Sequence, residues 1–390
     1  MADTPAITDG KHAVYRAVDR SQGLDLARSA AVFYVVSVIH ALFWLRLGSH
    51  TFISLLLFEM PAIFFCAGVT YGLQPLSTNG QGWISLPAYV RYLSSRAVRI
   101  MVPYWAYALG CLALMAITRD VPAGQWLQAA WAWLNPIYKG NGYSPGLLNW
   151  HLWFVPIYLL VVAALPVVAS FGSRRRPHVA FLVIGVVALE YVLSPFTSQS
   201  RAAAALAAVI CYLPFAWFGQ HWHQQSSKAG LNAELKITAG VCLGILVLLS
   251  FSQGWAATWA MQRHKFLTDQ IFFLFGTLWL SALVLLATSF APLPGRVASC
   301  SMRLLSPFIR YGYSIYLWQG IGYWFAFKVT GKLGWHVSLT WLLAVVCSVV
   351  LGYLASPLER VRIRWASGPL AARDPTKPRC QAADKSATSS

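Results

Sequence analysis

Residues 30–73 read AAVFYVVSVIHALFWLRLGSHTFISLLLFEMPAIFFCAGVTYGL, two apolar runs on either side of a short polar turn. Only two side chains in this stretch, Arg46 and Glu59, carry a full charge. Each run holds about 20 residues, the length that an α-helix needs to cross a hydrocarbon layer of about 30 Å. Because backbone amides in lipid must pair within their own segment, each run is predicted to be a transmembrane helix and the two together a hairpin.

The same pattern continues along the rest of the chain. Of its 390 residues, 57% are hydrophobic and 11% are charged, and the mean hydropathy is +0.55. Soluble domains carry about 25% charged residues, so this composition excludes an ordinary soluble enzyme. We therefore predict an all-α, polytopic membrane protein with about ten transmembrane helices, at residues 25–47, 51–74, 100–118, 151–171, 178–196, 202–220, 236–254, 267–290, 306–327 and 336–357.

The net charge of +18 has a topological explanation. The basic residues collect at the ends of the apolar runs, which is the positive-inside bias of membrane proteins, so we expect no nucleic acid partner. If the N-terminus is cytoplasmic, 20 of the 30 Lys and Arg residues fall on the inner side and eight, Lys265 among them, in outer loops. This distribution predicts that both termini are cytoplasmic and that membrane lipid surrounds most of the chain.

The sequence divides into three parts. Residues 1–23 form a predicted cytoplasmic segment, residues 24–358 the transmembrane domain, and residues 359–390 a basic tail that we expect to be disordered. The longest outer loop, 119–150, is rich in Trp, Asn, Gly and Pro. It suits an aromatic lid that stacks on sugar rings, or equally an amphipathic segment at the membrane surface. The seven cysteines show no ligand spacing, so we expect no metal site.

Three ionisable residues fall deep in the predicted spans, where charge is costly and therefore points to function: His40, Glu59 and Glu190. His40 lies about seven residues from the outer end of its span and Glu59 about eight residues into the next, so they share one depth. A carboxylate beside an imidazole fixes its tautomer, so we predict that His40 is a general base oriented by Glu59. The alternative is that His40 only hydrogen-bonds a neighbouring helix. Glu190 is assigned no role.

Three arginines are candidates for binding an anionic donor at the inner face. Arg28 opens the first span, 12 residues before His40, and Arg96 and Arg99 precede the third span. Guanidinium groups bind phosphates through paired hydrogen bonds, so these residues could hold a phosphate-bearing donor from the cytoplasm. The alternative for Arg96 and Arg99 is that their charge only sets the topology.

Five stretches carry a family resemblance. They are LDLAR at 24–28 followed by His40, MPAIFFCAG at 60–68, RAVRIMVPY at 96–104, LWF at 152–154 and YSIYLW at 313–318. In this order they resemble the signature segments of the integral-membrane acyltransferase family, acyltransferase family three, and the resemblance covers most of residues 24–357. It implies that Arg28 and His40 correspond to the arginine and histidine of the family's first span.

The resemblance also implies a reaction. Such proteins take an acyl group from a cytoplasmic donor, usually acyl-CoA as a co-substrate rather than a bound cofactor. They transfer it to a hydroxyl of a cell-surface polysaccharide, a lipid-linked sugar or a macrolide. We therefore expect a protein of the bacterial inner membrane that transfers an acyl group, acetyl being the expected one, to an exported glycan such as an exopolysaccharide of xanthan or cellulose type, with a polysaccharide synthase complex as a candidate partner. His151 is a second candidate base, and with Trp153 it marks the candidate acceptor side.

The chain departs from the family pattern at three points. Eleven residues separate Arg28 from His40, where the family usually has ten. A spacing of 11 positions leaves two helical residues about 20° apart, whereas 12 positions leave them about 120° apart. We therefore predict a π-bulge between Ser29 and Ile39 that absorbs the extra residue. The usual serine before Gly68 is Ala67, and the histidine often found after the IYL motif is Gln319, for which we expect no chemical role.

Two other classes of protein remain open at this point. One is a transporter that moves a sugar, lipid or drug without acyl chemistry. Such carriers often show inverted repeats and broken helices in matching halves, and the sequence shows no such repeat. The other is a non-catalytic membrane partner of a polysaccharide synthase. Transfer of label from acyl-CoA to an acceptor would separate the enzyme from both.

Overall fold

A computed structural model describes residues 23–48, 50–76, 84–136, 146–172, 183–189, 191–192, 201–224, 228–289 and 295–361. Nearly all of these residues are helical, which confirms the predicted all-α polytopic architecture. Residues 1–22, residues 362–390 and Glu190 lie outside the described ranges, as does most of the predicted span 178–196.

The long helices follow one another along the chain with short connections. Within the described ranges, those of ten or more residues are α1 (Gly23–Trp44), α2 (Glu59–Leu73), α3 (Leu86–Thr118), α4 (Phe154–Gly172), α5 (Arg201–Gln224), α6 (Lys228–Gln253), α7 (Gln270–Ser289), α8 (Gly295–Leu304), α9 (Ser306–Leu333) and α10 (Val337–Ala355).

Eight segments of the described chain are long and apolar enough to cross a membrane, against about ten predicted. They correspond to α1 to α7 and α10, with short extensions at some ends. Helix α9, predicted as the span 306–327, has 28 residues but is not among the eight. Its many Tyr, Gly and polar residues make it less apolar than the other long helices.

The second predicted span is broken, which the apolar run did not indicate. The chain forms a short helix, His50–Ser54, leaves helical geometry at residues 55–58, and begins α2 at Glu59. Pro61 explains the position of the break, because proline lacks an N–H and fits best in the first turn of a helix. Glu59 therefore lies at the start of a helix inside the membrane domain.

The third span is longer than predicted. We expected it to begin at residue 100 with the apolar run, but α3 begins at Leu86, with a proline in its first turn. Its 33 residues extend about 50 Å, roughly 20 Å more than a hydrocarbon layer requires. The extra turns carry Arg96 and Arg99, so the predicted donor-binding arginines lie on a rigid helix rather than in a loop.

Close backbone contact at glycines joins the helices in pairs. A Cβ atom at Gly68 of α2 would overlap the backbone of Ala216 in α5. A Cβ atom at Gly322 of α9 would lie 2.6 Å from the hydroxyl of Ser348 in α10. Small residues let helices approach closely where lipid supplies no hydrophobic driving force for their association. Helix α9 also contacts α1, α3 and the 3₁₀ turn Trp150–Trp153, so it links the elements that carry the candidate site.

Candidate active site

Helix α1 changes from α to π geometry just before His40. Residues Val35–Ile39 form a π-helix, and the N–H of His40 donates to the carbonyl of Val35, five residues back. This confirms the π-bulge predicted between Ser29 and Ile39. A π-bulge accommodates one more residue than the α-helix it replaces, so it gives α1 the extra residue that the Arg28 to His40 spacing requires.

Side chains of two other helices hold the π segment in place. The hydroxyl of Tyr323 in α9 donates to the carbonyl of Val36 at 2.8 Å, and the indole N–H of Trp341 in α10 donates to the carbonyl of Ser37 at 2.7 Å. A carbonyl that leaves the regular α pattern inside a membrane needs a donor from elsewhere, and these side chains supply it. The geometry of α1 at His40 therefore depends on α9 and α10.

The imidazole of His40 is held by Gln319 in α9. Gln319 is fully buried, and its Nε2 donates to the carbonyl of Tyr316 at 2.8 Å, which turns its Oε1 toward His40. That oxygen lies 2.8 Å from Nδ1 of His40. Because Oε1 can only accept, Nδ1 carries the proton and Nε2 keeps its lone pair. The ring stacks on Trp44, with centroids 4.7 Å apart.

The structure corrects two predictions about this histidine. Glu59 was expected to orient His40, but Gln319 occupies that place. Gln319 was expected to have no chemical role, and it is the residue that sets the tautomer. The two errors have different origins. Glu59 was matched to His40 by depth alone, whereas the break before α2 turns it toward a different segment of the chain. Gln319 was judged only by the histidine that it replaces in the family motif.

Glu59 forms a buried ion pair with Lys265. Its Oε1 accepts from the ammonium group of Lys265, and the side chains are 1% and 6% exposed. The sequence placed Lys265 in an outer loop, but the short helix Met261–Leu267 carries it into the protein interior. The ammonium group lies 5.5 Å from the ring centre of Trp153 and close enough to His40 to act on it electrostatically. Buried charges need such pairing, because an unpaired one costs several kcal/mol.

His151 lies against His40, with ring centroids 6.3 Å apart. It is 1% exposed, and its Nε2 donates to the carbonyl of Leu317 at 3.0 Å, which leaves Nδ1 as the acceptor nitrogen. Within the described ranges, this Nδ1 is buried without a hydrogen-bond partner. Gly320 makes room for the ring, because a Cβ atom there would lie 2.9 Å from Cε1 of His151 and would overlap the hydroxyl of Tyr107.

The three predicted donor-binding arginines lie near one another. Arg28 is half-exposed and pairs with Asp25 at 3.3 Å. Arg99 is close enough to Arg28 and Arg96 for both charges to act on it. Two carboxylates lie beside these charges, because Asp25 pairs with Arg28 and Glu359 acts on Arg99. The structure therefore brings together the arginines that the sequence grouped only by their predicted side of the membrane.

An apolar cavity of about 630 Å³ extends inward from the end of α1 that carries Arg28. It lies among α1, α2, α5 and α7, with Gly23 and Leu73 near one end and Tyr34 and Glu59 near the other. Its walls are mainly alanine, leucine, valine and phenylalanine side chains. The 11 residues from Gly23 to Tyr34 correspond to about 16 Å along a helix. The cavity is thus long enough to hold an extended, chain-like apolar group.

No group of three or more His, Cys, Asp or Glu residues that could hold a metal ion occurs in the part of the chain that the structure describes. The chemistry that the described site can supply directly comes from its imidazoles, the buried ammonium–carboxylate pair and the arginine cluster.

Comparison with known proteins identifies the family. The model of the acyltransferase domain of acyltransferase family three matches residues 21–357, from the start of α1 to the end of α10. Searches of curated proteins and of solved structures found no significant match. The match includes every residue assigned above to the candidate site, and the described residues contain eight helical segments suited to crossing a membrane. The chain belongs to acyltransferase family three and is a multi-pass membrane acyltransferase.

Proposed function

We propose that this protein is an O-acyltransferase of the cell inner membrane. In this proposal it transfers an acyl group, acetyl in the simplest case, from cytoplasmic acyl-CoA to a hydroxyl of an exported polysaccharide. A polysaccharide synthase complex working in the same membrane would deliver that acceptor. Family membership supports the acyl transfer, and the geometry around His40 supports the choice of a hydroxyl as the acceptor group.

One observation carries the proposal: Gln319 holds the proton of His40 on Nδ1 and so leaves the ring's lone pair on Nε2. A hydroxyl is a poor nucleophile until a base removes its proton, and a neutral imidazole nitrogen is suited to that step. Because the orientation of Gln319 is itself fixed by the carbonyl of Tyr316, the tautomer of His40 is set before any substrate arrives.

The reaction follows from this arrangement. Nε2 of His40 accepts the proton of the acceptor hydroxyl while the hydroxyl oxygen attacks the thioester carbonyl. The C–O bond forms, the C–S bond breaks, and the departing CoA sulfur takes the proton from the imidazolium. The products are an ester on the glycan and free CoA, and His40 returns to its starting tautomer. In this proposal Lys265, whose charge acts on His40, stabilises the negative charge that develops on the reacting carbonyl.

The end of the site that carries Arg28, away from His40, suits the acyl donor. The arginine cluster of Arg28, Arg96 and Arg99 offers guanidinium groups to the phosphates of acyl-CoA. The apolar cavity beside Arg28 suits the arm that carries the thioester, and its inner end reaches Glu59, the partner of Lys265. In this proposal the donor enters from the cytoplasm, its phosphates stay at the arginine cluster, and its arm extends along α1 toward Tyr34 and Glu59.

The test is acyl transfer by membranes that contain the His40→Ala variant. Wild-type membranes given labelled acetyl-CoA should move label into the cell-surface polysaccharide, and His40→Ala at equal expression should lose at least the 100-fold that general base catalysis contributes. His336→Ala, which changes an exposed histidine at the start of α10, serves as the matched control. Undiminished transfer by His40→Ala would refute the mechanism. Polysaccharide export without label transfer by the wild-type protein would favour a transporter.

A further inference from the structure

A second concave site lies at the opposite end of the helices from Arg28. It is a groove of about 420 Å³ on the predicted outer side of the protein. Volumes of about 300–1,000 Å³ are typical of sites for small molecules. The groove is formed by the end of α1, the short helix after it, the turn before α4 and the segment that carries Lys265. Its walls are Phe43, Thr51, Ser54, Trp150, Ala260, Gln262, Arg263 and Phe266.

The groove is built on the same segments as the His40 cluster. Phe43 follows His40 by three residues, and Trp150 and Phe266 are the chain neighbours of His151 and Lys265. Three residues along a helix correspond to a rise of about 4.5 Å. The segments that carry the candidate catalytic side chains therefore also form the walls of the groove, as an acceptor site for His40 requires.

The walls combine exposed aromatic faces with polar groups. Trp150 is 50% exposed and Phe266 is 43% exposed, and their rings lie 6.0 Å apart at an angle of 31°. Aromatic residues at membrane interfaces usually face lipid, but these two line a concave surface together with Gln262 and Arg263. A pyranose presents an apolar face of C–H groups and a rim of hydroxyls. The first matches an aromatic face, and the second matches amide and guanidinium groups.

Hydrogen bonds and ion pairs fix the segment that forms one wall. The backbone N–H of Gln262 donates to the hydroxyl of Ser54 at 3.4 Å, and Lys265 is tied to Glu59. Nδ1 of His264 lies 2.6 Å from a carboxylate oxygen of Asp269. A wall held in this way keeps its shape before a ligand binds, which reduces the entropy cost of binding.

We propose that this groove is the binding site for one sugar residue of the acceptor glycan. The sugar ring stacks on Trp150 and Phe266, and its hydroxyls bond to Gln262 and Arg263. The hydroxyl that will be acylated then points toward Nε2 of His40. This inference rests on the proposed function and adds to it the place and the chemical class of the acceptor. It assigns acceptor recognition to Trp150, the last residue of the loop 119–150, and to residues 260–266, which the sequence did not single out.

The test measures transfer against acceptor concentration. The probe is the host's own surface polysaccharide, stripped of esters by mild alkali, with labelled acetyl-CoA as donor. Trp150→Ala should raise the KM for polysaccharide at least tenfold and leave the KM for acetyl-CoA unchanged. Arg263→Gln, an exposed substitution that leaves the interior intact, should raise the same KM severalfold. Trp335→Ala is the matched control, since Trp335 is 46% exposed and lies between α9 and α10.

The outcomes separate this inference from the proposal beneath it. If the wild-type protein transfers label and both variants keep the wild-type KM for polysaccharide, the groove is not the acceptor site, although the proposed function stands. A fall in kcat alone for Trp150→Ala, with Arg263→Gln unchanged, would also overturn the inference, because it would mean that Trp150 only supports His151. If the wild-type protein transfers no label to polysaccharide, both proposals fail.

Discussion

Replacing Gln319 by leucine tests the assignment of the His40 tautomer. Leucine is similar in size but offers no acceptor to Nδ1 of His40, and Gln319 is fully buried, so no solvent replaces the lost oxygen. A buried donor left without a partner costs about 1–3 kcal/mol. The imidazole can avoid that cost by moving its proton to Nε2, but it then has no lone pair for the acceptor hydroxyl.

The expected effect on activity follows from this energy. A penalty of about 1–3 kcal/mol on the reactive tautomer corresponds to a fall in kcat of about 5- to 150-fold. The KM for acyl-CoA should change little, because Gln319 is not among the residues that line the donor cavity. Gln319→His keeps an acceptor nitrogen and should retain most of the activity. Gln220→Leu changes another buried glutamine, in α5, and controls for the general effect of the substitution.

The assay is label transfer from acetyl-CoA by protein reconstituted in lipid nanodiscs, with a thermal unfolding curve for each variant. Wild-type kcat in a Gln319→Leu protein that is folded and as stable as the parent would refute the tautomer argument. The same conclusion would follow if Gln220→Leu lost as much kcat as Gln319→Leu at equal stability, since the loss would then not be specific to His40.

Three further predictions test the surroundings of the site. Gly320→Ala should lower activity well beyond its stability cost of about 1–3 kcal/mol, because the new Cβ displaces His151; kcat and Tm measured together will separate the two effects. Lys265→Met should cost about 3–5 kcal/mol by leaving Glu59 buried and unpaired, and adding Glu59→Gln should restore part of the Tm. Burial lowers the pKa of His264, but its hydrogen bond to a carboxylate and the attraction of that charge outweigh burial, so the pKa lies above its ordinary 6.5. The pair of His264 with Asp269 therefore stabilises the protein fully below pH 6.5, and this contribution is lost as the pH rises through the pKa of His264 in the folded protein. Over that pH range Tm should fall in the wild-type protein but not in His264→Gln.

The sequence predicted much of the architecture because membrane helices are specified locally. An apolar run of sufficient length predicts a span with no knowledge of its neighbours, and most of the described spans were located this way. The errors arose where the bounds of a helix do not follow the bounds of an apolar run. Helix α3 begins well before its apolar run, and the second span is interrupted at residues 55–58 although its composition continues unchanged. Pro61 was the available sign of that break.

The candidate site was predictable only in the parts that lie on one helix. The count of residues between Arg28 and His40 was enough to predict the π segment, because helical phase depends on spacing alone. The partners of His40 and Glu59 were not predictable in this way, since they lie 279 and 206 residues away in sequence. Those contacts depend on how the helices pack. The charge count that assigned Lys265 to an outer loop had no means of showing that the loop returns to the interior.

The distance in sequence between Glu59 and Lys265 has a consequence for biogenesis. The two residues are separated by 206 positions, so at about 5–20 residues per second Glu59 is synthesised about 10–40 s before its partner. During that interval Glu59 is without the cation that it pairs with in the folded protein, and an unpaired charge is costly inside a membrane. We therefore expect closure of this pair to be one of the last events in assembly of the helical domain.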